Sequence, residues 1–221
     1  HLARGLAHEI KNPLGGIRGA AQLLARALPD ASLTEYTRII IEEADRLRDL
    51  VDRMLGSHEP PVLLPVNIHE VLERVLSLIH AEYGESISFQ RDYDPSMPDI
   101  EGDRGQLLQA LLNIVRNAIQ ALHESHTPNA DIMLRTRVQR RFTIGKRQHR
   151  LVCRIDVIDK GPGIPSEMQD TIFFPMISGR ADGTGLGLAI SQSIMAQHHG
   201  MIECESVPGN TRFSLYLPLD I

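Results

Sequence analysis

Three prolines within eight residues, HEPPVLLP from His58 to Pro65, constrain this chain more sharply than anything else in it. Proline removes a backbone donor and pushes the residue before it out of helical geometry, so no helix is expected to cross this stretch. On the amino side the apolar residues keep one helical period; on the carboxyl side the period switches repeatedly. That predicts a helical unit at 1–57, a linker at 58–66 and a larger mixed unit at 67–221. With 221 residues, 42% of them hydrophobic, there is material for one ordinary core plus a smaller unit.

Before the linker, Ala3, Leu6, Ile10, Leu14, Ile17, Ala21, Leu24 and Leu28 fall at steps of three and four, the stripe of one helix. PDAS, Pro29 to Ser32, breaks it. A second stripe follows through Leu33, Tyr36, Ile40, Ala44, Leu47, Val51 and Met54, widened by Ile39, Ile41, Leu50 and Leu55. Two helices cannot enclose so wide a stripe. Pairing with an identical hairpin would close a four-helix bundle, so a homodimer is expected.

Beyond the linker, Asn67 to Tyr83 reads as a helix capped by Asn67, with Glu70 placed to return the bond. ISFQRDY reads as a strand and Asp103 to Leu122 as a helix. DIMLRTRVQ and LVCRIDVID read as strands flanking a polar loop, Arg140 to His149, expected to be a solvated hairpin end. Helices near Pro165 to Phe173 and Gly187 to His199 precede a terminal hairpin of MIECESV and TRFSLYL around a PGN turn. Closely spaced hairpins among helices predict an α+β chain with a mixed sheet. The balance of 23 basic against 28 acidic residues, net -5, gives no general attraction to nucleic acid or an acidic membrane. No apolar run reaches a membrane span and no signal peptide is evident, so a cytoplasmic protein is expected. Cys153 and Cys204 are too few for a disulfide framework or a four-ligand zinc site and read as buried free thiols.

LAHEIKNPLGG, Leu6 to Gly16, asks why a good helix carries His8, Glu9 and Asn12 and then accepts Pro13. His8 projects roughly 160° from the apolar stripe, Asn12 lies one turn on, and Glu9 sits about 100° to the side. Pro13 frees the carbonyl of Glu9 and should bend the helix there. A lone exposed histidine is ordinarily surface, and HExxN lacks the second histidine of a zinc protease. What remains is an imidazole that is mostly neutral at pH 7, with a carboxylate able to hold its tautomer or take its proton, which is a nucleophile in need of an electrophile.

QALLNIVRNAIQAL, Gln109 to Leu122, sets Asn113 and Asn117 four apart on one face, where two amide oxygens suit a hard cation such as magnesium. IDVIDKGPGI runs a strand into Asp159, able to accept the amine of a base, and then into Gly161 and Gly163, which let backbone approach a flat ring. DGTGLGLAI, Asp182 to Ile190, brings glycines and a helix amino terminus suited to phosphate. Each segment has a bland reading as polar surface or tight turn, and neither a Walker lysine nor a full Rossmann unit is present.

In this order the segments resemble the histidine protein kinases of two-component systems: HEIKNPL their H box, NIVRNA their N box, DKGPGI and GTGLGLAI their glycine boxes, and FFPM a variant F box. GLAHEIKNPLGGIRGAAQLL with FPMISGR resembles, more narrowly, nitrogen-regulatory sensor kinases of the NtrB type. The resemblance implies a dimerisation and phosphotransfer hairpin followed by a Bergerat (GHKL) α/β sandwich, with a lid over ATP near 178–183. It implies His8 as phosphoacceptor, Glu9 as adjacent acid or base, and Asn12 as the residue orienting water in phosphatase work. Asn117 and Asn113 become the Mg2+ ligands, Asp159 the adenine reader, and Gly161, Gly163, Gly183, Thr184, Gly185, Leu186 and Gly187 the nucleotide-binding turns. Arg180 becomes a lid base at the terminal phosphate, with Arg116 and Lys160 weaker phosphate candidates. It further implies a response-regulator receiver as partner and, by resemblance only, a PII signal protein. Phe174 and Met176 replace the acid and second phenylalanine usual in the F box. The alternatives are a GHKL-type ATPase, for which Asn113 stands where a water-activating acid is needed, and a nucleotide-binding module without chemistry.

Overall fold

A computed structural model describes residues 2–28, 31–55, 61–84, 86–125, 131–177 and 185–219, with side chains described at all of these except 2–11, 31–32 and 46–55. The backbone divides into two compact units, His1–Glu59 and Pro60–Ile221.

The first unit is a helical hairpin of α1 (Leu2–Ala27) and α2 (Ala31–Leu55). α1 runs unbroken through Pro13, and Ala31 and Ser32, expected in the break, open α2 instead. Leu14, Arg18, Ala21, Ala25 and Leu28 turn inward together, as do Thr34, Thr37, Ile41 and Ala44. Steps of three and four account for both rows. Ala21 and Ala44 are buried, so the small residues sit where the helices come close, and Arg18 Nε donates to Asp45 Oδ1 at 2.8 Å. The other half of the apolar stripe, Ile17, Leu24, Leu33, Tyr36, Ile39 and Ile40, stays exposed in a single chain.

The second unit begins with β1 (Leu64–Val66), so the end of the stretch read as linker is already paired structure. α3 (Ile68–Tyr83) starts at Asn67, whose side chain accepts from the amides of His69 and Glu70. The Glu70 carboxylate lies 3.3 Å from the Arg104 guanidinium. β2 (Ser88–Asp92) and β3 (Ile100–Gly102) lead to α4 (Arg104–Glu124), capped by Asp103. β4 (Asp131–Ile144) and β5 (Arg147–Asp159) form a long hairpin. Arg140 to His149 is therefore mostly strand and not the expected loop. Gly145, with φ 61°, supplies the left-handed residue of a tight turn. One turn of helix, α5 (Ser166–Gln169), precedes α6 (Gly187–Gln197), β6 (Met201–Val207) and β7 (Asn210–Pro218).

The strands make a five-stranded sheet in the order β2-β4-β5-β7-β6, with β2 parallel to β4 and the other pairs antiparallel; β1 and β3 pair separately. Ile132, Leu134, Cys153, Ile155, Val157, Phe213, Leu215 and Leu217 point from one sheet face into a core shared with α3 and α4. The mixed sheet and α+β class match expectation.

Candidate functional site

α4 is buried along most of its girth by Leu107, Ala110, Leu111, Ile114, Val115, Ala118, Ile119 and Leu122. Asn113 and Asn117 are half-buried, and with Ala121 they form one row of steps of four. The two glycine turns meet this row at its two ends. A Cβ on Gly187 would lie 3.7 Å from Asn113 Cβ, and one on Gly161 would lie 3.4 Å from Ala121 Cβ. Asn117 is thus bracketed by the two turns, about 6 Å along the axis from each contact.

At the carboxyl end of β5, Asp159 is buried and its Oδ1 accepts from Gly161 N at 2.8 Å. A side chain at Gly161 would meet that same oxygen at 2.7 Å, so only glycine lets this turn close over its own acid. Gly163, φ 85°, presses on the β6–β7 turn, where a Cβ would stand 2.9 Å from Pro208 N. Ser206 Oγ accepts from Ile164 N at 2.8 Å and lies 2.9 Å from Thr211 Oγ1, while Gln169 Nε2 donates to the carbonyls of Ile164 and Ser206. These three side chains hold the turn in place. Sequence reasoning missed Gln169, Ser206 and Thr211, since their partners are mostly backbone atoms remote in sequence.

At the other turn, the carbonyl of Gly187 accepts from Asn113 Nδ2 at 3.1 Å and Ser191 Oγ at 3.0 Å. Ser191, fully buried, also reaches Ala110 O at 3.1 Å and so ties α6 to α4. Asn113 therefore spends its amide nitrogen on the first residue of α6 and keeps its carbonyl oxygen as an acceptor. Gly185 adopts φ 63° against Met176, itself at φ 66°, and Met176 N donates to Gly185 O at 3.1 Å. Leu186 is buried beside them. At the far end of α6, the buried His198 accepts from Asp103 N at 2.9 Å through Nε2, so its proton sits on Nδ1 and is donated to Ile194 O at 2.8 Å. Burial holds this imidazole below its ordinary pKa of 6.5.

Both weaker phosphate candidates are engaged with acids: Arg116 with Glu82 at 2.7 Å and Lys160 with Asp131 at 3.4 Å. Arg180, Gly183 and Thr184 lie outside the described residues, as do the side chains of His8 and Glu9. Asn12 is described and exposed on α1. The amide oxygens of Asn113 and Asn117 on one row fit a hard cation that draws its remaining ligands from phosphate and water.

Residues 102–221 match the model of the histidine kinase-, DNA gyrase B- and HSP90-like ATPase. Residues 1–58 match the His Kinase A phospho-acceptor domain. The sensory histidine kinase/phosphatase NtrB of Klebsiella oxytoca is 56% identical over 218 residues, covering 99% of this chain and 62% of the relative. The chain therefore spans under two thirds of that relative's length. Among solved structures, full-length ShkA in complex with AMPPNP aligns with a TM-score of 0.62 at 27% identity, over 98% of this chain and 45% of its own. Histidine kinase ThkA in complex with response regulator protein TrrA aligns with a TM-score of 0.61 at 28% identity, over 99% of this chain and 61% of its own.

Proposed function

We infer, for a chain that belongs to the histidine kinase-, DNA gyrase B- and HSP90-like ATPase family, that it is the catalytic core of a nitrogen-regulatory sensor histidine kinase. The observation that carries the reading is the α4 row, with Asn117 set between Gly161 and Gly187 and buried Asp159 at the edge. That arrangement suits an adenine at Asp159 and a phosphate chain running toward the amino end of α6.

In the proposed reaction a nitrogen of the His8 imidazole attacks the γ-phosphorus of ATP. An N–P bond forms, the bond to the bridging oxygen breaks, and ADP leaves with the electron pair. Glu9 takes the imidazole proton. Asn117 and Asn113 would hold magnesium, which when bound offsets charge on the phosphates. The phosphoryl group then passes to an aspartate of an NtrC-type response regulator, regenerating the imidazole, and Asn12 orients the water that later cleaves the acyl phosphate. Arg180 meets the terminal phosphate, whereas Arg116 and Lys160 reach it only by leaving Glu82 and Asp131. Two copies close a four-helix bundle over the exposed Ile17, Leu24, Tyr36 and Ile40. A PII signal protein and a cytoplasmic setting follow from the resemblance; no described helix is long and apolar enough to cross a membrane. The GHKL ATPase alternative is not favoured, because the position for its water-activating base is Asn113, already bonded to Gly187.

The test incubates the chain with magnesium and ATP labelled at the γ-phosphate. Acid-labile, base-stable label that vanishes in His8→Gln while nucleotide still binds is the expected result. Label persisting in that variant, or free phosphate released with no bound label, would overturn the reading. Asn12→Ala should slow loss of phosphate from the labelled receiver more than it slows labelling of His8.

A further inference from the structure

We propose that the far end of the β4–β5 hairpin, residues 140–150, is a docking arm for a protein partner presenting a small acidic patch. Between Asp131 and Asp156 lie eight of the chain's 23 Lys and Arg and not one acid, leaving 15 to face all 28 Asp and Glu elsewhere. Three of the eight serve the fold: Arg135 and Arg137 pair with Asp92, and Arg154 with Asp156. Arg140, Arg141, Lys146 and Arg147 are exposed and have no ion-pair partner among the described residues.

The register passes from Arg140↔Leu151 to Phe142↔His149 with no strand pair at Arg141. The arm is nonetheless braced. Arg141 turns the strand with φ 53°, Phe142 stacks on Tyr216 at 4.3 Å, and His149 is buried. A fixed scaffold thus displays four cations, Arg140, Arg141, Lys146 and Arg147, that no acid among the described residues pairs with.

Arginine outnumbers lysine here, and its planar fork suits carboxylate; on the same hairpin, Arg137 Nη2 donates to both oxygens of Asp92 at 2.7 and 2.8 Å. A long polyanion such as duplex DNA or a membrane would also have to approach the acidic remainder of the chain, whereas a compact patch engages only the arm. Screening confines such an attraction to within about 8 Å at physiological salt.

The test titrates the full chain into fluorescein-labelled poly-L-glutamate and follows anisotropy at 50 and 300 mM salt. Duplex DNA of equal charge and phosphatidylserine vesicles serve as alternatives. The expected result is binding to polyglutamate that weakens at least tenfold with salt and at least tenfold in the variant Arg140→Ser, Arg141→Asn, Lys146→Ser, Arg147→Ser, with nucleotide binding unchanged. Asparagine is chosen because it tolerates the left-handed backbone. Salt-insensitive binding by the unaltered chain would overturn the proposal without any variant. So would equal binding by the variant, or hairpin-dependent binding to DNA or vesicles as tight as to polyglutamate.

Discussion

Replacing His198 by phenylalanine tests whether one neutral imidazole couples the two helices that frame the site. A planar aromatic ring is kept, slightly larger, and both nitrogens are lost. Asp103 N then has no acceptor, although Ile194 O still receives the His198 amide at 3.2 Å. An orphaned buried donor costs about 1–3 kcal/mol and the lost Nδ1 bond about 1 more. A total of about 2–4 kcal/mol corresponds to a fall of roughly 4–16 °C in Tm for a unit of this size. His198→Gln, whose amide oxygen can still accept from Asp103, should lose about half as much. The pH dependence has a fixed sign. Burial holds the folded imidazole below 6.5, so the unfolded chain binds the proton first, and His198 stabilises above about pH 6.5 and loses that contribution as pH falls below it. The nearby Asp103 carboxylate opposes this shift and His199 reinforces it. His69 is likewise held low by burial, but it is present in both proteins and cancels in the difference. Thermal melts at pH 7.5 and 5.5 should show the gap between wild type and His198→Phe narrowing on acidification. A gap under 2 °C at pH 7.5, or one that widens in acid, refutes the reasoning.

Gly185→Ala would set a Cβ 2.6 Å from the Met176 carbonyl carbon at a left-handed φ; nucleotide affinity measured by calorimetry should fall at least tenfold. Met176→Gly removes a non-glycine residue from φ 66° and should raise stability by about 1 kcal/mol in urea titration. Ser191→Ala loses the buried link between α6 and Ala110, costing about 1 kcal/mol by the same measure. Burial pushes the thiols of Cys153 and Cys204 up to about 12, so a thiol reagent at pH 8 should titrate neither within minutes in the native chain and both in urea.

Much of this architecture was legible because period and punctuation are local signals. The prolines, the cap residue Asn67 and the glycines of the two turns mark backbone requirements that few other residues meet; Asp103, read as the first residue of its helix, is instead the cap. The α1 stripe was readable as apolar, but its division was not: Leu14 and Ala21 face α2 while Ile17 and Leu24 face outward, and the sequence treats all four alike. The β4–β5 hairpin was cut short because charged residues from Arg140 to His149 resemble loop. Pairing continues since the turn needs only Gly145 and the register of Phe142, Thr143 and Ile144 carries on to it. Within the candidate site, Asn113 and Asn117 could be named from spacing and Asp159 from its place at a strand end. Ser191 and His198 could not, because their partners lie 81 and 95 residues away and are main-chain atoms.

Asp103 closes more than a helix cap. Its Oδ1 accepts from Gly105 N and Gln106 N, its Oδ2 from Val62 N, and its own amide is held by His198. Just upstream, Leu64 to Val66 is laced to Ile100 to Gly102. The incoming polypeptide and the first turn of α4 are therefore mechanically one piece. A displacement at residue 62 therefore acts on the same carboxylate that caps the helix bearing Asn113 and Asn117.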